Sequence, residues 1–226
     1  MGSEPGRTRD IERRHVVEPF DKVAGVYDRG RLAWYRGLLE LLPGKGEPLL
    51  DAGCGTGYVA CSLARAGIGA VVCLDVSGRM LEQSRRRARR WRVDAYVHPV
   101  RGSVVALPFR SRAFSTVLAA AVIHHVYGRE RRVAALAELK RVCRGKLIIT
   151  VWNALSFGNL LRVIATGSRD VLVRWRGERR YYHLYTPWEL ERDLRAAGYG
   201  SFALYSWDYK PKIVRRNLVV EHECGN

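Results

Sequence analysis

No apolar run in this 226-residue chain approaches the ~18 residues that would cross a bilayer. Its first residues are polar and charged, without the short apolar core of a secretion signal. Both absences predict a soluble, cytoplasmic protein with no membrane partner. Cysteine is sparse. Cys54, Cys61, Cys73, Cys143 and Cys224 are odd in number, scattered, and form no C-x-x-C pair. That pattern excludes a zinc ribbon and a disulfide framework, so no metal is expected in this chain. The five read as small buried residues in a reducing compartment, with a pairing of the kind thermophile proteins make left open. Amides are also scarce, Gln83 being the only glutamine, and just six of the 39 basic residues are lysine.

What remains is arginine and apolar side chains. A net charge of +17 and a pI of about 10.2 point to a polyanionic partner, with nucleic acid first. Arginine bias from a GC-rich genome is the competing explanation. Apolar residues make up 47% of the chain, enough for one large domain with a real core.

Residues 1–15 read as a polar, mobile segment and 16–226 as a single domain. Two amphipathic helices are expected over 16–42, ended by Pro43-Gly44 and Gly46. Strands then alternate with helices. Strands are expected near 48–52, 70–75, 94–98, 114–120 and 145–152, and helices near 57–67, 77–91 and 129–143. This spacing predicts an α/β, Rossmann-like doubly wound fold. Beyond Trp152 the rhythm changes. An insertion over about 153–185 opens with an apolar helix at 154–165 and continues as a basic, aromatic, loop-like stretch. Thr186-Pro187 then starts a helix as N-cap and first residue. Two closing strands, near 201–207 and 212–221, predict an antiparallel C-terminal hairpin. The sheet would then be seven-stranded and mostly parallel.

The segment richest in chemistry is DAGCGTG at 51–57. A strand that turns through Gly53, Gly55 and Gly57 into a helix brings backbone N–H groups close to a ligand. Asp75 closes the next strand, where an acid accepts the hydroxyls of a ribose. The G-x-G-x-G spacing differs from the G-x-G-x-x-G of dinucleotide sites, and Asp51 suits an ammonium better than a pyrophosphate. S-adenosylmethionine carries an amino-acid end, a sulfonium and an adenosine, and matches both acids.

On these residues the chain resembles the class I S-adenosylmethionine-dependent methyltransferases, through FDKVAGVYD (20–28), LLDAGCGTG (49–57), LDVS (74–77) and GSVVALPF (102–109). The resemblance implies cofactor contacts from Tyr27, Asp51, Gly53, Cys54, Gly55 and Gly57. It extends them to Asp75, Val76, Met80, Gly102, Ser103, Val104 and Ala120. Ser103 stands where the family usually has an acid for the adenine amino group. Arg144-Gly145-Lys146 replaces the usual P-G-G before the fifth strand.

Two later segments, AAVIHHVYGRERRVAALAELKRV (120–142) and RRYYHLYTPWEL (179–190), resemble the tRNA wobble carboxymethyluridine O-methyltransferases. That resemblance implies methyl transfer from S-adenosylmethionine to a carboxylate, leaving a methyl ester and S-adenosylhomocysteine. A carboxylate is already anionic at neutral pH, with a pKa near ~4. It needs no general base, and alignment with partial desolvation suffices. His124, His125, Tyr182 and His183 are the candidates to position the acceptor. Arg129, Arg132, Arg174, Arg176, Arg179, Arg180 and Tyr181 are the candidates for tRNA contact through phosphates and stacked bases. The run Arg85-Arg86-Arg87, Arg89, Arg90, Arg92 reads as a solvated helix face, and Lys210, Lys212, Arg215 and Arg216 have no assigned role. The family also implies a small zinc-binding activator subunit adding a strand beside Ala95 to Val100, where Pro99 would interrupt the pairing. Two other functions stay open at this point: methylation of a quinone or lipid precursor, and a non-catalytic RNA-binding module.

Overall fold

The computed structural model describes residues 4–29, 32–42, 48–207 and 216–225. The chain begins with α1 (Glu4–Glu12), a π-helical turn (Arg13–Val17), α2 (Glu18–Val23), a 3-10 turn (Ala24–Val26) and α3 (Leu32–Leu41). Then follow β1 (Leu49–Ala52), α4 (Tyr58–Arg65), β2 (Val71–Asp75), α5 (Gly78–Trp91), β3 (Val97–Arg101) and β4 (Phe114–Ala120). After a 3-10 turn (Ile123–His125) come α6 (Arg129–Val142), β5 (Cys143–Trp152), α7 (Phe157–Thr166), β6 (Asp170–Trp175) and β7 (Glu178–His183). The chain closes with α8 (Pro187–Ala196), β8 (Ala203–Trp207) and β9 (Asn217–Glu223).

Seven strands form one sheet in the order β3-β2-β1-β4-β5-β9-β8. The first five are parallel, and β9 and β8 run antiparallel at the far edge. The expected doubly wound sheet with its C-terminal hairpin is therefore what the chain folds into. Strand alternation sorts the core between two faces. Leu49, Leu118 and Ile148 pack against Tyr35, Leu38, Val59 and Ala88 from α3, α4 and α5. Leu50, Val117, Leu147 and Ile149 pack against Leu136, Leu139, Leu190 and Leu194 from α6 and α8. Every residue of β1 is buried, so the strand ends in a turn held rigidly at the centre of the sheet.

Four expectations differ from the structure. Residues 4–12, taken as part of a mobile segment, are helical, and Glu12 accepts a forked pair of bonds from Arg131 at 2.8 Å. The third strand starts at Val97 rather than 94. Arg92 caps α5 in the left-handed region, and a turn closed by Tyr96 N–H to the Val93 carbonyl uses up the intervening residues. The loop-like stretch after α7 is a β-hairpin, β6–β7, closed by Arg176 and Gly177 with both φ positive (54° and 88°), as a type I′ turn requires. Arg-Gly is not the usual signal for that turn, and the exposed arginines mask the alternation. Finally, Cys143 and Cys224 form a disulfide across the β5–β9 edge, with Cα atoms 5.9 Å apart. Antiparallel pairing of β5 with β9 brings two distant cysteines together, which spacing alone does not reveal.

Thr186 and Pro187 open α8 as expected, the Thr186 hydroxyl accepting from the Glu189 N–H at 3.4 Å. The Pro43-Gly44 and Gly46 break, and Lys210, Lys212 and Arg215, lie outside the described residues. Among the described residues, no helix is long and apolar enough to cross a membrane.

The disulfide closes a loop of 81 residues, which constrains the unfolded chain by roughly 4 kcal/mol. Replacing both Cys143 and Cys224 with Ala is expected to lower the unfolding temperature by several degrees. Calorimetry with and without reductant measures this, and an unreactive wild type in reductant would remove the staple from the stability account.

Candidate cofactor and acceptor site

The turn after β1 is built from backbone hydrogen bonds. Gly53 and Cys54 donate N–H to the Leu74 carbonyl at 2.6 and 3.0 Å, tying the turn to the end of β2. Gly55 donates to Asp75 Oδ2 at 2.9 Å, and Ser77 donates to Asp75 Oδ1 at 2.8 Å. The turn's N–H groups are thus largely committed to placing Asp75. Each Asp75 oxygen retains further acceptor capacity, which fits two vicinal hydroxyls. A β-carbon at Gly53 would collide with Val122, and one at Gly57 with Ser84 on α5. Both glycines also hold φ values of +78° and +69°, so both are sterically and conformationally required.

Two acids define the electrostatics. Asp51 is 3% exposed and its Oδ2 has no hydrogen-bond partner. Burial, then the nearby Asp75 charge, push its carboxyl up to about 7. Burial also raises Asp75 to about 6 against the pull of its backbone donors. A buried acid with an orphaned oxygen beside a second, half-buried acid calls for a cationic ligand. The ammonium and sulfonium of S-adenosylmethionine supply that charge, so the residues fit the cofactor. Among the described residues no cluster of His, Cys, Asp or Glu could hold a metal.

Above this turn lies a cavity of about 830 Å³, partly open to solvent. Gly53, Gly55, Asp75, Val76 and Met80 line it, as do Gly102, Ser103 and Val104. Tyr27, Ala120 and His125 complete the expected residues on the wall. Asp51, Cys54 and Gly57 are not on the wall. Sequence reasoning missed Phe20, Val16, Val17, Ala121 and Val122, which line it too. Phe20 opens the FDKVAGVYD stretch and was legible there. Ala121 holds a φ of +58° at the end of β4, a backbone state that no sequence pattern announces.

The N-terminal helices are latched over the cavity by the acids of that same stretch. Asp21 accepts from the Arg79 N–H at 3.1 Å at the start of α5. Asp28 accepts from the Tyr35 and Thr56 hydroxyls at 2.8 and 2.6 Å, and pairs with Arg87. Arg87 also donates to the Thr56 carbonyl and lies over the Tyr58 ring. The arginine run on α5 is solvated as expected except here: Arg87 is turned inward to brace the glycine turn.

On the acceptor side the rings cluster. His125 Nδ1 lies 2.7 Å from the Tyr181 carbonyl. A carbonyl only accepts, so Nδ1 carries the proton and Nε2 of the neutral ring is an acceptor. His124 is reversed. The Trp152 N–H donates to its Nδ1 at 3.1 Å, which puts the ring proton on Nε2, a buried atom with no partner. Burial, His125 and His183, with Arg180, hold His124 well below its ordinary pKa, so it stays neutral. Tyr182 stacks on Trp152 at 4.3 Å and on His124 at 5.3 Å.

The structure does not bring His124, Tyr182 or His183 onto the cavity wall. His183 is buried between Asp170 (2.8 Å) and Glu189 (3.2 Å). Burial opposes its charge, but the two carboxylates outweigh that and raise its pKa. Arg132 is buried too, donating to the Tyr181 hydroxyl at 3.4 Å and lying over Tyr185. Arg132 and Tyr181 therefore hold the β7–α8 junction and do not face solvent, and this corrects their assignment to tRNA contact. Arg129 is half exposed and pairs with Asp193 at 2.8 Å. Arg174, Arg176 and Arg179 are exposed along β6–β7. Trp175 on that hairpin meets Tyr27 edge-on at 5.8 Å, which places the basic hairpin at the cavity mouth.

Comparison with known proteins agrees with this geometry. Residues 50–149 match a family described as a methyltransferase domain. A solved S-adenosylmethionine-dependent methyltransferase of Methanosarcina mazei superposes with a TM-score of 0.66, covering 82% of this chain and 95% of that one at 19% identity. The chain therefore has the fold of the class I S-adenosylmethionine-dependent methyltransferases, with a methyltransferase domain over 50–149 and a glycine turn and two acids that fit their cofactor. Within that class it resembles the tRNA carboxymethyluridine enzymes. It is 35% identical to the tRNA (carboxymethyluridine(34)-5-O)-methyltransferase of Xenopus tropicalis over 63% of this chain and 22% of that one. It is 31% identical to the Arabidopsis thaliana protein of the same name over 65% and 35%. The matched region thus spans between a fifth and about a third of the length of these two relatives.

Two outcomes are expected in calorimetric titrations with S-adenosylmethionine. Asp75→Ala removes a charged acceptor and should weaken binding roughly 10–100-fold; less than a threefold change would displace the ribose from this acid. Affinity of the wild type should fall as pH drops below 7. Asp51 gains a proton there and loses its attraction for the ammonium, at most about tenfold per pH unit. A flat profile between pH 8 and 6 would contradict that pairing.

Proposed function

We propose that this chain transfers a methyl group to the carboxylate of a carboxymethyl-modified wobble uridine in tRNA, forming a methyl ester. The observation that carries this reading is the exposed, arginine-bearing β6–β7 hairpin leaning through Trp175 on Tyr27 at the mouth of the donor cavity. The names and identities of the relatives support it, as does the net charge of +17. A cytoplasmic location goes with a tRNA acceptor.

When bound, S-adenosylmethionine supplies an electrophilic methyl group on a positively charged sulfur, and S-adenosylhomocysteine is the product. The chain's own contribution is placement. Asp75, on the cavity wall, holds the sugar end; Asp51, buried off the wall, acts on the ammonium through its charge; and Ser103, on the wall, takes the adenine end, where its hydroxyl has acceptor and donor capacity. Phe20, Val122 and Val126 exclude water from the middle of the cavity. That dryness sharpens a carboxylate nucleophile. His125 stands on the wall with Nε2 as an acceptor in its neutral form, suited to the uracil N3–H. Arg174, Arg176 and Arg179 are free of ion pairs among the described residues and suit the tRNA backbone. We further assign β3, the outermost parallel strand, as the docking edge for a small zinc-binding activator; Tyr96 beside it is 51% exposed.

A second reading rests on the apolar wall contributed by Val16, Val17 and Phe20, which also suits a small apolar acceptor such as a quinone precursor. Incubation with radiolabelled donor separates the two. Label is expected in tRNA carrying carboxymethyluridine and in base-labile form; label only in an apolar small molecule would favour the second reading. Changing Arg174, Arg176 and Arg179 together to Ala should lower the slope of log affinity for tRNA against log salt by about two to three. An unchanged slope would move the tRNA path elsewhere.

A further inference from the structure

Arg180 is 2% exposed, and both its Nε and its Nη1 are buried without a hydrogen-bond partner. Among the described residues no carboxylate pairs with it. Instead its guanidinium lies over three rings: Trp175 at 4.7 Å, Phe20 at 5.1 Å and Tyr182 at 5.5 Å. Ring faces offset part of the cost of burying a cation, yet they leave its in-plane donors unanswered. A buried charge is weak evidence for stability, since an apolar residue of similar size does as well or better. A second orphan lies close by. His124 Nε2, a donor by the tautomer derived above, is also buried and unpartnered, and its ring stacks on the same Tyr182.

Phe20 lies between Arg180 and the donor cavity. Its ring covers Arg180, lines the cavity and meets His125 edge-on at 5.0 Å. It sits on α2, in the N-terminal latch, so displacement of this one ring would expose Arg180 to the donor cavity. We propose that Arg180, with His124 Nε2–H beside it, is an anion subsite that holds one oxygen of the acceptor's carboxylate once Phe20 moves aside. The other oxygen is left to face the donor methyl. The inference rests on the reaction proposed above and adds its specificity: an acidic acceptor is taken and a neutral amide analogue is refused. It also revises the expectation of a backbone-phosphate contact for Arg180, because a guanidinium buried under three rings is out of reach of a surface phosphate.

The test uses the full chain loaded with S-adenosylhomocysteine, titrated with two nucleosides and one nucleotide and followed by tryptophan fluorescence. The probes are 5-carboxymethyluridine, its neutral amide 5-carbamoylmethyluridine, and uridine 5′-monophosphate. The wild type should prefer the carboxylate to the amide by roughly tenfold or more. Arg180→Gln should abolish that preference while leaving affinity for S-adenosylhomocysteine within about twofold. Arg180→Met should do the same while unfolding at an equal or higher temperature, so that loss of the preference is not a loss of fold. A preference that survives both substitutions overturns the subsite. An Arg180-dependent preference for the monophosphate in place of the carboxylate overturns the identity of its ligand. The reaction is judged separately on modified tRNA. Transfer at wild-type rate by Arg180→Gln would leave the reaction standing and sink the subsite. Arg180-dependent carboxylate binding with no transfer to tRNA would do the reverse.

Discussion

Four N–H bonds at the ends of two neighbouring strands hold this site together. Gly53 and Cys54 reach the Leu74 carbonyl, and Gly55 and Ser77 reach the two oxygens of Asp75. The consequence is that Asp75 is placed by backbone, not by a side-chain network that a single substitution could loosen. Everything nearby serves to keep the turn in that geometry. Val122 and Ser84 fill the space left by absent β-carbons at Gly53 and Gly57, and Asp28 with Arg87 braces Thr56 from outside. The raised carboxyls of Asp51 and Asp75 are the energetic cost of that compactness, and a cationic ligand offsets it.

The donor half was readable residue by residue because its signals are local. The apolar run before DAGCGTG, the glycine positions and the acid closing the next strand are each tied to one element. The acceptor half was readable only in part. His124 and His125 are adjacent in sequence and opposite in state, because one accepts from the Trp152 N–H and the other donates to the Tyr181 carbonyl. Those partners lie 28 and 56 residues away, and no spacing rule reaches that far. The β6–β7 hairpin was hidden by arginines at its outward positions, and the disulfide by the antiparallel return of β9.

The arginines divide by environment rather than by number. Arg174, Arg176 and Arg179 are exposed at the cavity mouth, whereas Arg87, Arg132 and Arg180 are turned inward against rings. Planar guanidinium groups tolerate such stacking where lysine ammonium groups would not. A net charge read from composition sums these roles, so it overstates the surface available for a polyanion. The long-range attraction and the buried chemistry draw on different members of the same residue type.

The bridge between Cys143 and Cys224 encloses α7, the β6–β7 hairpin and α8 in one covalent ring. The elements assigned here to acceptor recognition lie mostly inside that ring, while the glycine turn, Asp75 and the N-terminal latch lie outside it. The covalent ring therefore keeps those elements connected whatever the latch does, because the latch lies outside it.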